Sequence, residues 1–237
     1  MARQARFVLP GHPQHVIIRG NNREPIFCAE EDYRFYLEKL KQACDKHDCD
    51  VHAYVLMTNH VHLLITPHHE NSLSKVMQMV GRYYVQYFNH TYNRTGTLWE
   101  GRYKASLIDS DTYALVCYRY IELNPVRADM CSHPSEYPWS SYSFNALGKD
   151  NDLVVMHGLY RGLGRSAAAR QKAYRTLFRA RVAEKSLIEI REATNKAWVL
   201  GSDHFKDKVE AQLNRSVKPS QRGGDRKSAA FRQLKSK

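Results

Sequence analysis

Long apolar runs are missing from this chain. No stretch of its 237 residues approaches the apolar length that a helix needs to span a bilayer, and the first twenty residues hold no run of the kind a secretory signal carries. Cysteine is scarce: the five are Cys28, Cys44, Cys49, Cys117 and Cys131. No two form a Cys-x-x-Cys pair, which speaks against a zinc knuckle, a dithiol redox motif and a zinc deaminase. Their odd number reads as reduced thiols inside a cell rather than a disulfide framework. Acidic residues are also short, 24 Asp and Glu against 36 Lys and Arg, for a net charge of +12. That excess makes a polyanionic partner the expectation, nucleic acid before membrane, while charge alone leaves a merely basic soluble protein open. No internal repeats occur. What remains is a globular, cytoplasmic or chromosome-associated protein, long enough for one or two domains with a good core.

Aromatic residues, by contrast, are plentiful. Fifteen tyrosines are interleaved with Arg and Lys, a composition that suits stacking on unpaired bases. The most informative stretch runs from Met57 to Ile65. It is apolar and β-branched and reads as a buried strand, entered through a Thr58-Asn59 turn. Residues two apart on a strand share a face, so His60 and His62 project side by side with Val61 turned away. Two such imidazoles can serve one metal ion or one phosphate. Two half-buried histidines with local hydrogen bonds are the competing reading, and the pair alone does not decide.

In chain order, His15–Arg19 reads as a first strand, followed by a Gly20-Asn21-Asn22-Arg23 turn that carries side-chain donors. Residues 30–47 have helical spacing through Tyr33, Tyr36, Leu37 and Leu40, most simply as core packing. A second strand over Val51–Leu56 forms a hairpin with the histidine strand, which Pro67 ends. A helix over Ser72–Asn89, a loop at 93–96 and a strand over Arg102–Ile108 follow. Arg102 and Lys104 share a strand face, which suits either a phosphate track or a solvated surface. Ser110 or Asp111 caps a third helix that Pro125 stops near Asn124. This order predicts an α+β fold: a ferredoxin-like split βαβ arrangement with a four-stranded antiparallel sheet and helices on one face. Beyond it come Tyr137-Pro138-Trp139-Ser140-Ser141-Tyr142, read as an aromatic clamp on the surface, and helices over 165–182 and 183–197. From 204 to 237 there are ten Lys or Arg against three acidic residues, expected as a mobile DNA-binding tail.

Tyr120 and Asn124 lie four apart, one turn along a helix face. A tyrosine that attacks a phosphodiester stores the broken bond as an ester that a 3′-hydroxyl can later attack. A resting phenol is a poor nucleophile, and a metal that polarises the phosphate supplies the missing drive. His60 and His62 offer two ligands and the Asn124 amide oxygen a third. The alternatives are an aromatic ring packed on the sheet for Tyr120 and a helix-end cap for Asn124.

Thr58-Asn59-His60-Val61-His62, with Tyr120-Ile121-Glu122-Leu123-Asn124-Pro125-Val126-Arg127-Ala128, resembles the single-tyrosine HUH transposases, and most closely the REP-associated tyrosine transposases. Arg19-Gly20-Asn21-Asn22-Arg23, Leu98-Trp99-Glu100-Gly101-Arg102 and the 137–142 stretch are similar to that family too. The resemblance covers residues 7 to 145. It implies a ferredoxin-like catalytic fold, a divalent ion (Mg²⁺ or Mn²⁺), and cleavage of single-stranded DNA at palindromic repeat hairpins through a 5′-phosphotyrosine with a free 3′-hydroxyl. Tyr120 is then the nucleophile and His60, His62 and Asn124 the metal ligands. Asparagine stands at Asn124 where some relatives carry glutamine, and Gly223-Gly224-Asp225-Arg226-Lys227 departs from the more regular basic ending of the family. Arg19, Asn21, Arg23, Arg102 and Lys104 are the expected DNA contacts. The expected domains are a catalytic unit over 1–130, a clamp and helical extension over 131–203, and the basic tail over 204–237. Two further readings compete: a non-catalytic nucleic-acid-binding regulator descended from such an enzyme, and a basic scaffold with the histidines in its core.

Overall fold

The computed structural model describes residues 6–217. Strands β1 (Gln14–Arg19), β2 (Cys49–Met57), β3 (His60–Pro67) and β4 (Lys104–Leu107) form one antiparallel sheet in the order β2-β3-β1-β4. Helix α1 (Glu30–His47) carries the chain from β1 to β2, and α2 (Ser72–Thr91) carries it from β3 to β4. Each crossover skips one strand, so β3 lands between β1 and β2, and β1 between β3 and β4. The split βαβ arrangement expected from the sequence is the fold, and the histidine strand is internal to the sheet.

Alternation divides the side chains of the sheet. Val16, Ile18, Leu56, Val61, Leu63 and Ile65 meet Tyr36, Leu40, Val76, Val80 and Tyr84 of α1 and α2 in one buried cluster. The register sets Arg19 opposite His60, Ile17 opposite His62 and His15 opposite Leu64 on the other face. That second face is covered as well, which corrects the expectation of helices on one face. The physical reason is the composition of β2 and β3: nearly every position is buried, not every second one, and such strands need cover on both sides.

The cover begins with α3 (Ser110–Glu122), whose Cys117, Tyr118, Tyr120 and Ile121 join Ala53, Val55, Met57 and Leu64 in a second cluster. Helix α3 ends at Glu122. Leu123 breaks it, and a single turn, α4 (Asn124–Arg127), follows with Pro125 at its start, where a missing N–H does no harm. Helices α5 (Tyr142–Leu147), α6 (Gly158–Arg161), α7 (Ala167–Leu177), α8 (Glu184–Lys196) and α9 (Asp203–Leu213) complete the described chain. Ser141 Oγ (2.6 Å), Asn145 Nδ2 (2.8 Å) and Tyr174 Oη (2.7 Å) donate to the carboxylate of Glu122, tying α3 to α5 and α7. Burial pushes that carboxyl up to about 7.

The later residues also close the sheet laterally. Leu56 donates to the Trp139 carbonyl (2.9 Å) and Ser141 to that of Tyr54 (3.0 Å) along the outer edge of β2. The 137–142 stretch is therefore buried against the sheet rather than forming a surface clamp, with Tyr137 8% and Tyr142 1% exposed. At the other edge Leu200 donates to Leu107 and accepts from Asp109, both at 2.8 Å. Helix α9 corrects the expectation of a mobile tail from 204 onward: Phe205, Val209 and Leu213 pack with Phe7, Leu107 and Val199. Lys218-Pro219 and Gly223-Gly224 lie outside the described residues. No described helix is long and apolar enough to cross a membrane.

Candidate functional site

A cavity of about 280 Å³ opens where β1, β3, α3, α4 and α8 meet. His60 and His62 of β3 line it, their ring centroids 5.0 Å apart and nearly perpendicular. Tyr120 and Asn124, some sixty residues later in the chain, line it too. The Tyr120 ring stands edge-on to those of His62 (5.7 Å) and His15 (5.4 Å). The other tyrosines of α3 are elsewhere. Tyr118 is fully buried beside Tyr160 and Tyr174, and Tyr113 donates to Glu189 (2.9 Å).

The electrostatics keep the imidazoles uncharged at neutral pH. Burial, with Arg19 beside it, lowers the pKa of His60 to about 4. Burial and then its His15 and His60 neighbours hold His62 well below the ordinary histidine value. Burial and Arg127 bring His15 down to about 3. A neutral imidazole keeps one lone pair, the form that ligates a metal. His60 Nδ1 is 2.6 Å from Asn59 Oδ1, and His62 Nδ1 is 2.8 Å from His15 Nε2. Asn124 donates its amide nitrogen to the carbonyls of Tyr120 (2.9 Å) and Ile121 (3.1 Å), which leaves its amide oxygen uncommitted. His60, His62 and Asn124 line one cavity, and two neutral imidazoles with an amide oxygen are donor types that a divalent ion accepts. Among the described residues no group of three or more His, Cys, Asp or Glu could hold one. A nitrogen-rich donor set of this kind suits Mn²⁺ better than Mg²⁺, which prefers oxygen.

Cations surround the cavity. Arg19, Arg127 and Arg191 line it, and the Arg127 guanidinium lies 4.6 Å over the Tyr120 ring. Arg127 donates Nη2 to the Tyr120 carbonyl (2.6 Å), while its buried Nη1 has no partner. An adjoining recess of about 200 Å³ shares Arg19 and Asn195 with the first and adds Arg102 and Lys104. Asn21 and Arg23 line neither. They sit on a tight turn beyond β1, held to the hairpin by Asn59 Nδ2 on the Arg23 carbonyl (2.9 Å). Gly20 permits that turn, because a Cβ there would meet the Glu24 carbonyl oxygen at 2.5 Å.

The sequence reading assigned no role to His15, Arg127, Arg191, Thr194 or Asn195. Arg127 carried no helical-spacing signal, since Pro125 stops the helix of Tyr120 before it; it is the short turn α4 that brings it back over Tyr120. His15 carried only its register against β3. Arg191, Thr194 and Asn195 belong to α8, and nothing local placed that helix beside the sheet.

The protein is thus of the α+β class, a ferredoxin-like sheet with an inner strand that sets paired imidazoles beside a helix tyrosine in a basic cavity. Residues 10–124 match the family described as Transposase IS200 like. The structure resembles that of a REP-associated tyrosine transposase bound to a REP hairpin, with a TM-score of 0.52 and 17% identity, over 66% of this chain and 93% of that one. A candidate transposase from Deinococcus radiodurans R1 aligns at 21% identity over 51% of this chain and 96% of that one, with a TM-score of 0.36. No curated protein matches the chain.

Proposed function

We propose that this protein is an IS200-like transposase, a metal-dependent single-stranded DNA endonuclease and strand transferase of the HUH type, acting at repeat hairpins. One observation carries the reading: His60, His62, Tyr120 and Asn124 meet in one cavity ringed by arginine. Tyr120 Oη attacks the scissile phosphorus. The new Oη–P bond forms as the P–O3′ bond breaks, and the 3′-oxygen leaves as a hydroxyl, its proton balancing the one the phenol loses. The downstream strand stays on the protein as a 5′-phosphotyrosine. A 3′-hydroxyl that attacks this ester reverses the step and joins strands.

His60, His62 and Asn124 are the residues that would hold a divalent ion, which when bound supplies positive charge against the scissile phosphate. Arg127 favours negative charge growing on the phenol beneath it. Arg19, Arg102 and Lys104 line the path that the adjoining backbone would follow. Asn21 and Arg23 would touch DNA only outside that path. The basic chain and the hairpin bound by the similar structure support DNA as the partner.

The test is incubation with Mn²⁺ and a single-stranded DNA carrying a palindromic hairpin, labelled at its 3′ end, followed by denaturing electrophoresis. A labelled covalent adduct that excess chelator prevents is the expected result. Tight binding with neither nick nor adduct in Mn²⁺ or Mg²⁺ would favour the regulator reading and overturn this one.

A further inference from the structure

His15 lies diagonally across the β1–β3 pair from His62, and the two rings stack at 5.0 Å with an interplanar angle of 10°. His15 Nε2 is 2.8 Å from His62 Nδ1, and His15 Nδ1 is 2.7 Å from Thr194 Oγ1 on α8. Thr194 in turn donates its hydroxyl to the Ile190 carbonyl at 2.8 Å. All three side chains are buried, at 1%, 3% and 3% exposure for His15, His62 and Thr194.

A hydroxyl has one proton. With that proton on Ile190, Thr194 Oγ1 can only accept from His15, so His15 Nδ1 carries a hydrogen. In a neutral ring His15 Nε2 is then the lone pair, and it accepts from His62 Nδ1–H. His62 Nε2 is left bare, facing the cavity. The opposite tautomers would set two acceptors against each other between buried side chains, leaving polar atoms unpaired. His60 is held in the same way from another direction. Asn59 commits its amide nitrogen to the Arg23 carbonyl, which turns its oxygen to accept from His60 Nδ1.

We propose that His15 and Thr194 are positioning residues, a hydrogen-bond relay from α8 that fixes His62 with Nδ1 protonated and Nε2 presented to the divalent ion. The inference rests on the metal reading of the site given above. It makes the C-terminal extension part of the metal centre: removing the Thr194 hydroxyl frees His15 to turn its proton the other way, so that His62 is no longer held in one tautomer and one orientation and can offer N–H where the ion needs a lone pair. Partners behind metal-bound histidines commonly matter at the level of about 10–100-fold in metal affinity.

The test uses the full chain. Nitrogen-15 spectra of the histidines in metal-free wild-type protein report the tautomer directly, and Mn²⁺ titration followed by electron paramagnetic resonance reports affinity. His15 and His62 are expected as Nδ1–H tautomers in the wild type and as mixtures in Thr194→Val. Thr194→Val should bind Mn²⁺ about 10–100-fold more weakly with hairpin affinity unchanged, and Thr194→Ser should restore both tautomer and metal affinity. A wild-type His62 found as Nε2–H would overturn the relay, as would a folded Thr194→Val with unchanged tautomer and unchanged Mn²⁺ affinity. Wild-type protein that takes up no Mn²⁺ would overturn the metal reading itself, and the tautomer spectra distinguish that failure from failure of the relay.

Discussion

The two faces of the sheet are built from the same four strands and do different work. Against α1 and α2 the contacts are apolar and aromatic, with Phe27, Tyr36 and Tyr84 packed edge to face around Leu40 and Val80. Against α3 and α8 the sheet buries His15, His52 and His62, with Glu122 and Thr194 close behind. A buried polar group costs free energy unless it is hydrogen-bonded, and several partners here come from beyond residue 130: Thr194 for His15, the Val155 carbonyl for His52, and Ser141, Asn145 and Tyr174 for Glu122. Both faces bury an apolar cluster, and the second also encloses titratable groups, which depend on the added helices for cover and partners.

The sharpest way to break this contrast is to remove chemistry without touching packing. Tyr120→Phe deletes a hydroxyl and keeps the ring. Cleavage and the covalent adduct should fall by at least about 10³-fold, with hairpin affinity and folding nearly unchanged. Denaturing electrophoresis reads the first, and urea unfolding with a binding assay reads the second. An adduct that persists, or that peptide mapping places on Tyr118, would show that the reactive face has been misassigned.

His60→Ala and His62→Ala should each reduce metal-dependent cleavage by about 10²-fold or more, with most DNA binding kept. Mn²⁺ should support at least as much cleavage as Mg²⁺ in the wild type. Full cleavage in excess chelator would remove the metal from the account.

The converse experiment lies on the other face. Leu40 is fully buried in the α1–α2 cluster, and Leu40→Ala should lower stability by about 2–5 kcal/mol. Cleavage per folded molecule, measured well below the unfolding midpoint, should stay within about twofold.

Acid should weaken the histidine-bearing face. His52, between the Val155 carbonyl and Thr66 Oγ1, is lowered by burial from 6.5 to about 4. Between those values the unfolded chain binds a proton that the native chain refuses, so stability rises with pH across this window and is lost as pH falls from 6.5 towards 4. One such histidine accounts for about 3 kcal/mol by linkage. His52→Asn should be less stable at pH 7 and show a shallower dependence of its urea midpoint between pH 6.5 and 4. The smallest effect concerns the groove. Lys104→Ala should flatten the slope of log affinity against log salt by about 0.7 if it meets one phosphate of a single strand.

Much of the reactive face was legible in the residues themselves. A period of two put His60 and His62 together, and a period near four put Asn124 beside Tyr120. Helix α1 was readable from its spacing at the same residues the structure gives, Glu30–His47. The two-sided cover of the sheet was also written in the unbroken apolar run Ala53–Met57 of β2, where alternation would have meant one wet face. Helix α9 was hidden by counting charge instead of period: Phe205, Val209 and Leu213 recur every four residues within a basic segment. The α8 contribution had no local sign at all. Thr194 reaches His15 only because Leu200 pairs with Leu107, a contact between residues more than ninety positions apart.

The covered edges of the sheet bear on the order in which the molecule comes into being. A ribosome releases β1 to β4 first, with the outer side of β2 bare until residues 139–141 follow and the outer side of β4 bare until Leu200 emerges. For that interval the nascent sheet can add a foreign strand at either margin, the usual route to aggregation. The same late residues deliver Thr194 behind His62. The β2 margin is therefore sealed first, by residues 139–141, and the β4 margin only when Leu200 follows, just behind the Thr194 that meets His15, so a chain that stops short of α8 is left sticky at β4 and without its relay.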